Sequence, residues 1–154
     1  MAFDWISVIK IIPDLVGNLG GLVKYNRATK DALIRELRLN IKAFNTAFKN
    51  KKIDYDKLID LLQNDAIKTA RKSRFTFNSI KAQSIKQQDI RDSRNLRYID
   101  KDCDWLFKNI DEKIEDLRIQ KQYNNSLNQL ENSNISLQFS NLFFKMKLLA
   151  DFIS

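Results

Sequence analysis

The chain has 154 residues and a net charge of +8, with three glycines, one proline, one cysteine and no histidine. That length suits a single domain over residues 1–154, and so few turn formers argue against a β-sandwich or barrel. A lone cysteine excludes an intramolecular disulfide and fits a cytosolic setting, and without histidine a zinc site has too few ligands.

In chain order, Phe3, Ile6, Ile9, Ile12, Val16, Leu19 and Val23 recur at helical spacing and predict a helix over residues 3–24, kinked at Pro13. Gly20 and Gly21 are candidates to end it. Asp4, Lys10, Pro13 and Asp14 interrupt this stretch too often for a signal peptide. Its expected role is bundle core. The alternative is an amphipathic helix that a membrane-active bundle releases onto a lipid surface, led by Phe3 and Trp5.

A second helix is predicted from about Ala28 to Lys49 on the stripe Leu33, Leu37, Ile41, Phe44 and Phe48. Asp54 reads as an N-cap with Ile53 and Leu58 as a hydrophobic staple, which predicts one helix running through Leu58, Ile59, Leu62, Ala66 and Ala70. Residues 73–88 have no firm period and read as a connection. A long helix is then expected from about Asp92 to Lys121, on the seam Leu96, Ile99, Cys103, Leu106, Ile110, Ile114 and Leu117.

Between Gln120 and Asn134, ten of fifteen residues are Asn, Gln or Ser, the composition of a loop. The last predicted helix, Ile135 to Ile153, carries two apolar stripes. One is Phe139, Leu142, Phe143, Met146 and Leu149; the other is Leu137, Phe144, Leu148 and Phe152, an expected interface for a partner or a second copy. The sum is an all-α antiparallel bundle of four to five helices.

Charge is concentrated. Between Lys68 and Arg97 stand nine Lys and Arg against Asp89 and Asp92. Lys68, Arg71, Lys72 and Arg74 form one cluster, Lys81 and Lys86 follow, and Arg91, Arg94 and Arg97 recur every third residue at the expected start of the long helix, where the dipole disfavours cations. Phe75 and Phe77 lie between the clusters and could stack on unpaired bases. The pattern points to a face that holds nucleic acid or an acidic protein.

Motifs for catalysis are missing. Asp100, Asp102 and Asp104 match the first ligands of a calcium loop, but Trp105 stands where its glycine belongs and Asp111 where its glutamate belongs. The acids from Asp100 to Asp116 read instead as a solvated flank able to pair with cations. Cys103 falls on the apolar seam with no histidine to activate it. No nucleotide-binding loop or metalloprotease motif occurs, so neither an enzyme nor a cofactor is expected.

The stretch Trp5–Tyr25, followed by Asp31-Ala-Leu-Ile-Arg-Glu-Leu-Arg-Leu-Asn40, resembles the N-termini of small helical accessory proteins of bacterial antiphage defence loci. The resemblance covers about a quarter of the chain and carries no catalytic or binding residue. It implies a non-enzymatic subunit of a larger bacterial assembly.

Overall fold

A computed structural model describes residues 20–130 and 134–154, with side chains from Arg27 onward. The helix expected over residues 3–24 lies largely outside the described residues. Those described form five α-helices: α1 (Gly20–Phe48), α2 (Tyr55–Leu61), α3 (Asp65–Lys72), α4 (Cys103–Asn124) and α5 (Ile135–Ile153). Three short 3-10 helices lie between α3 and α4, and no strand occurs among the described residues. This is the all-α bundle the apolar periodicity predicts. Gly20 and Gly21 lie in the first turn of α1.

α1 buries Leu33, Leu37, Ile41 and Phe44 and packs on α2, α3 and α5. Asp54 caps α2 as expected, accepting the Lys57 N–H at 3.1 Å. The single helix expected through Ala70 is not there. The chain turns extended at Leu62 (ψ 139°), and Asn64 heads a separate helix α3.

Polar side chains from two neighbouring helices hold this break open. From α1, Asn40 both donates to Gln63 O and accepts from Gln63 N, each at 2.7 Å. Glu36, also on α1, accepts the Ala66 and Ile67 N–H groups at 2.6 and 3.2 Å, replacing the side-chain cap that α3 lacks. From α4, Arg118 donates to Leu62 O at 2.7 Å and to Asn64 Oδ1 at 2.6 Å. The Asn64 amide donates in turn to Asp111 and Glu115, both at 2.8 Å. Leu62 O, both Gln63 backbone groups and the Ala66 and Ile67 N–H groups are satisfied in this way.

The long helix expected from Asp92 begins only at Cys103. Asp102 caps α4 by accepting the Trp105 N–H at 2.9 Å, and Asn78 braces that end through Asp102 Oδ2 and the Asp104 N–H, both at 3.0 Å. Just before it Asp100 takes a left-handed backbone (φ 73°), and Ile85 hydrogen-bonds across to Asp100 and Lys101. Residues Ser93–Tyr98 form a 3-10 helix instead. Leu96 is therefore exposed and Ile99 half-buried, while Cys103, Leu106, Ile110, Ile114 and Leu117 form a fully buried seam.

α4 extends to Asn124, where Asn125 ends it in a left-handed conformation, so the expected loop starts later than Gln120. Asp56 on α2 receives the loop, accepting from Leu127 N and Ser126 Oγ, both at 2.6 Å.

α5 has the expected bounds and lies at the centre. Both of its stripes are largely internal: Phe139, Leu142, Phe143, Met146 and Leu149 are buried, and so are Leu148 and Phe152. The expected exposed interface therefore does not form, because these helix faces meet α1, α4 and the 3-10 helix. Of its four residues only Leu137 is exposed, and Phe144 is half-covered by cations.

Removing the Asn64 amide takes one hydrogen bond each from Asp111, Glu115 and Arg118. Asn64→Ala is expected to lower the unfolding free energy by about 3 kcal/mol, seen as an earlier urea midpoint. A change within experimental error would mean the break is held by packing alone.

Candidate functional site: a basic face on the last helix

The nine cations between Lys68 and Arg97 split into two groups with different fates. Lys68 pairs with Glu115, and Arg71 pairs with Asp111 at 2.8 Å and Glu112 at 3.5 Å. The first basic cluster thus meets the acidic flank of α4. Hydrogen bonds from Asn64 and Lys68 hold the Glu115 carboxyl down at about 2. Lys72 and Arg74 remain exposed at the end of α3, with Arg74 left-handed (φ 57°) in the turn.

Lys81 donates to Phe152 O at 2.7 Å and lies 4.7 Å over the Phe152 ring, so it caps the C-terminus of α5. Lys86 is exposed on the loop. The two aromatics between the clusters do not face solvent. Phe77 is buried and stacks on Phe107 at 5.1 Å, and half-buried Phe75 packs edge-on against Phe77. Phe77 is thus a core residue, and Phe75 packs on it with part of its surface still exposed.

Arg91, Arg94 and Arg97 form the second group. Arg94 and Arg97 lie on a 3-10 helix rather than at the start of α4, so the dipole of α4 does not oppose them. With three residues per turn, a 3-10 helix eclipses positions i and i+3, which sets these two on one side. Arg94 is gripped by Asp92 at 2.7–3.2 Å, and this holds the Asp92 carboxyl at about 2. Its guanidinium lies 4.0 Å over the Phe144 ring, with Lys147 at 5.8 Å from the same ring. Arg97 lies over Tyr98 and donates to Asn141 on α5 at 3.2 Å. Arg91 stands 3.9 Å from Asp151, also on α5.

These contacts bring Lys145 and Lys147 into the same face, which sequence reasoning missed. Lys145 is the most informative of them. Burial first, then the nearby Lys113 and Arg97 charges, push its amine down from 10.5 to about 8. A lysine lowered in this way binds its proton less well folded than unfolded. Its unfavourable effect is complete below about pH 8 and is relieved as pH rises from 8 to 10.5, so stability from this group increases across that window. Groups placed against folding mark candidate functional sites.

Elsewhere, a cleft of about 470 Å³ opens beside Asp100, Asp104, Trp105 and Glu112. Asp102 is spent capping α4, Asp104 pairs with Lys108 at 3.0 Å, and Lys101 lies over the Trp105 ring. Among the described residues no cluster of acids, cysteine or histidine is placed to hold a metal ion. Cys103 is buried and its thiol is pushed up to about 12 by burial, which leaves it unreactive. No helix among the described residues is long and apolar enough to cross a membrane.

Comparison with family models, curated proteins and solved structures finds no match.

Lys145→Met removes a crowded charge and keeps the stem. It is expected to raise stability at pH 7 by about 1–2 kcal/mol, less than the full shift because solvent still reaches the amine. The gain should shrink by pH 10. Urea unfolding at both pH values checks this, and a less stable variant at pH 7 would contradict it.

Proposed function

We propose that this protein is a non-enzymatic binding subunit of a bacterial assembly, and that it holds nucleic acid by the phosphate backbone. The single observation behind this reading is the second basic group. Arg91, Arg94 and Arg97 lie against α5 beside Lys145 and Lys147, facing only Asp92 and Asp151 among the described acids. Burial pushes the Asp151 carboxyl up, which weakens it as a counter-charge.

Nucleic acid fits such a face better than an acidic protein does. Protein interfaces have cores depleted in charge, whereas here cations occupy the middle and the apolar Phe144 lies beneath them. With Phe77 buried and Phe75 packed edge-on against it, base stacking contributes little, so sequence preference should be weak and backbone contacts dominant. The resemblance of the opening stretch to accessory proteins of antiphage defence loci is the ground for a defence setting.

The test is a salt titration. Affinity for DNA or RNA should fall steeply as salt rises, and the double reversal Arg91→Glu, Arg97→Glu should flatten the log–log slope by about 2 while helicity is kept. Lys68→Glu, whose parent is already paired, should change the slope far less. If wild type binds neither nucleic acid at low salt, the reading fails, and retention of an acidic protein by the same face would replace it.

A further inference from the structure

Cations from three elements meet along one strip of α5. Gln138, Asn141 and Lys145 follow at spacings of three and four, so they share a helical face. α4 reaches the strip at its first member, where Lys113 Nζ donates to Gln138 Oε1 at 3.0 Å. The 3-10 helix reaches it at the second, where Arg97 donates to Asn141 Oδ1 at 3.2 Å. Lys145 supplies the next turn and is half-buried.

The charges on this strip are poorly balanced. Between the cations stand neutral amides, which orient them but offset no charge. Among the described residues no carboxylate lies within ion-pair distance of Arg97 or Lys145, and Lys113 has only the exposed Asp116, at 3.4 Å. A methionine at position 145 would fill the same space without repulsion. Packing therefore does not explain the lysine, whereas an anion seated among the three cations does.

We propose that Arg97, Lys113 and Lys145 form a notch for one phosphate group. This deepens the backbone-binding reading and rests on it where the phosphate is part of a nucleic acid. Arg97 supplies a planar fork and the two ammonium groups supply point charges, a combination suited to a tetrahedral oxyanion. The phosphate belongs to a phosphodiester of the bound strand or to a free phosphate ion; both share this chemistry. A seated anion also keeps the Lys145 amine protonated, so occupancy is linked to proton uptake. The groups facing that amine are Lys113 with its partner Asp116 from α4, and Arg97 from the 3-10 helix; Gln138 and Asn141 on α5 are uncharged.

The experiment uses the full chain and two probes, a short oligothymidylate and inorganic phosphate, with wild type, Lys145→Met and Lys145→Arg. Expected for wild type is oligonucleotide binding that phosphate competes away and that weakens as pH rises from 8 to 10. Lys145→Met should lose about tenfold in affinity and its pH response, while Lys145→Arg should keep both affinity and charge through pH 10. Undiminished, pH-independent binding by Lys145→Met would overturn the notch and leave the wider face standing. Phosphate binding without oligonucleotide binding would keep the notch and overturn the face. Binding of neither probe overturns both.

Discussion

The fold turns on the interruption between Leu62 and Asn64. A continuous helix there would satisfy its own backbone, so an interruption is tolerated only if other groups take over each freed donor and acceptor. Asn40, Glu36 and Arg118 take over Leu62 O, both Gln63 backbone groups and the Ala66 and Ile67 N–H groups, from α1 on one side and α4 on the other. Glu36 is almost fully buried, and burial, opposed by its two backbone hydrogen bonds, pushes its carboxyl above the ordinary range. The same few side chains thus join three helices through polar contacts, while the leucine, isoleucine and phenylalanine seams supply the bulk of the packing.

That interruption also decides where charge is neutralised. With α3 started afresh at Asn64, Lys68 and Arg71 come out beside Asp111, Glu112 and Glu115. The acidic flank of α4 is consumed within the molecule. Arg91, Arg94 and Arg97 have no such flank; they lie over α5, which contributes Lys145 and Lys147. A basic stretch that is continuous in sequence is divided between ion pairs with α4 and an outward face. Surface pairs such as Lys68–Glu115 add little stability on their own. They take Lys68 and Arg71 out of the free basic surface, while Lys72 and Arg74 stay exposed.

The parts of this arrangement written in local pattern could be read from the chain: the Asp54 cap, the bounds of α5, and the seam from Cys103 to Leu117. The parts set by distant residues could not. The apolar stripe Leu58, Ile59, Leu62, Ala66, Ala70 suits one helix or two, and its interruption depends on Glu36, Asn40 and Arg118, which no local window contains. The late start of the expected long helix did leave a signal, Asp102 standing three residues before Trp105 as an N-cap, but Leu96 and Ile99 extend the apolar spacing back before it. The outward basic face was half visible. Its arginines repeat every third residue, whereas Lys113, Lys145 and Lys147 join them only through tertiary packing.

The central claim is that the basic segment is divided: Lys68 and Arg71 are spent on the acids of α4, and Arg91, Arg94 and Arg97 are turned outward to hold an anion. Mapping amide and side-chain chemical shifts by NMR during titration with an oligonucleotide tests it directly. The account predicts perturbation at Arg91–Arg97 and Asn141–Lys147, with Lys68 and Arg71 unmoved. Perturbation centred on Lys68–Arg74, with the outer face of α5 silent, would contradict it.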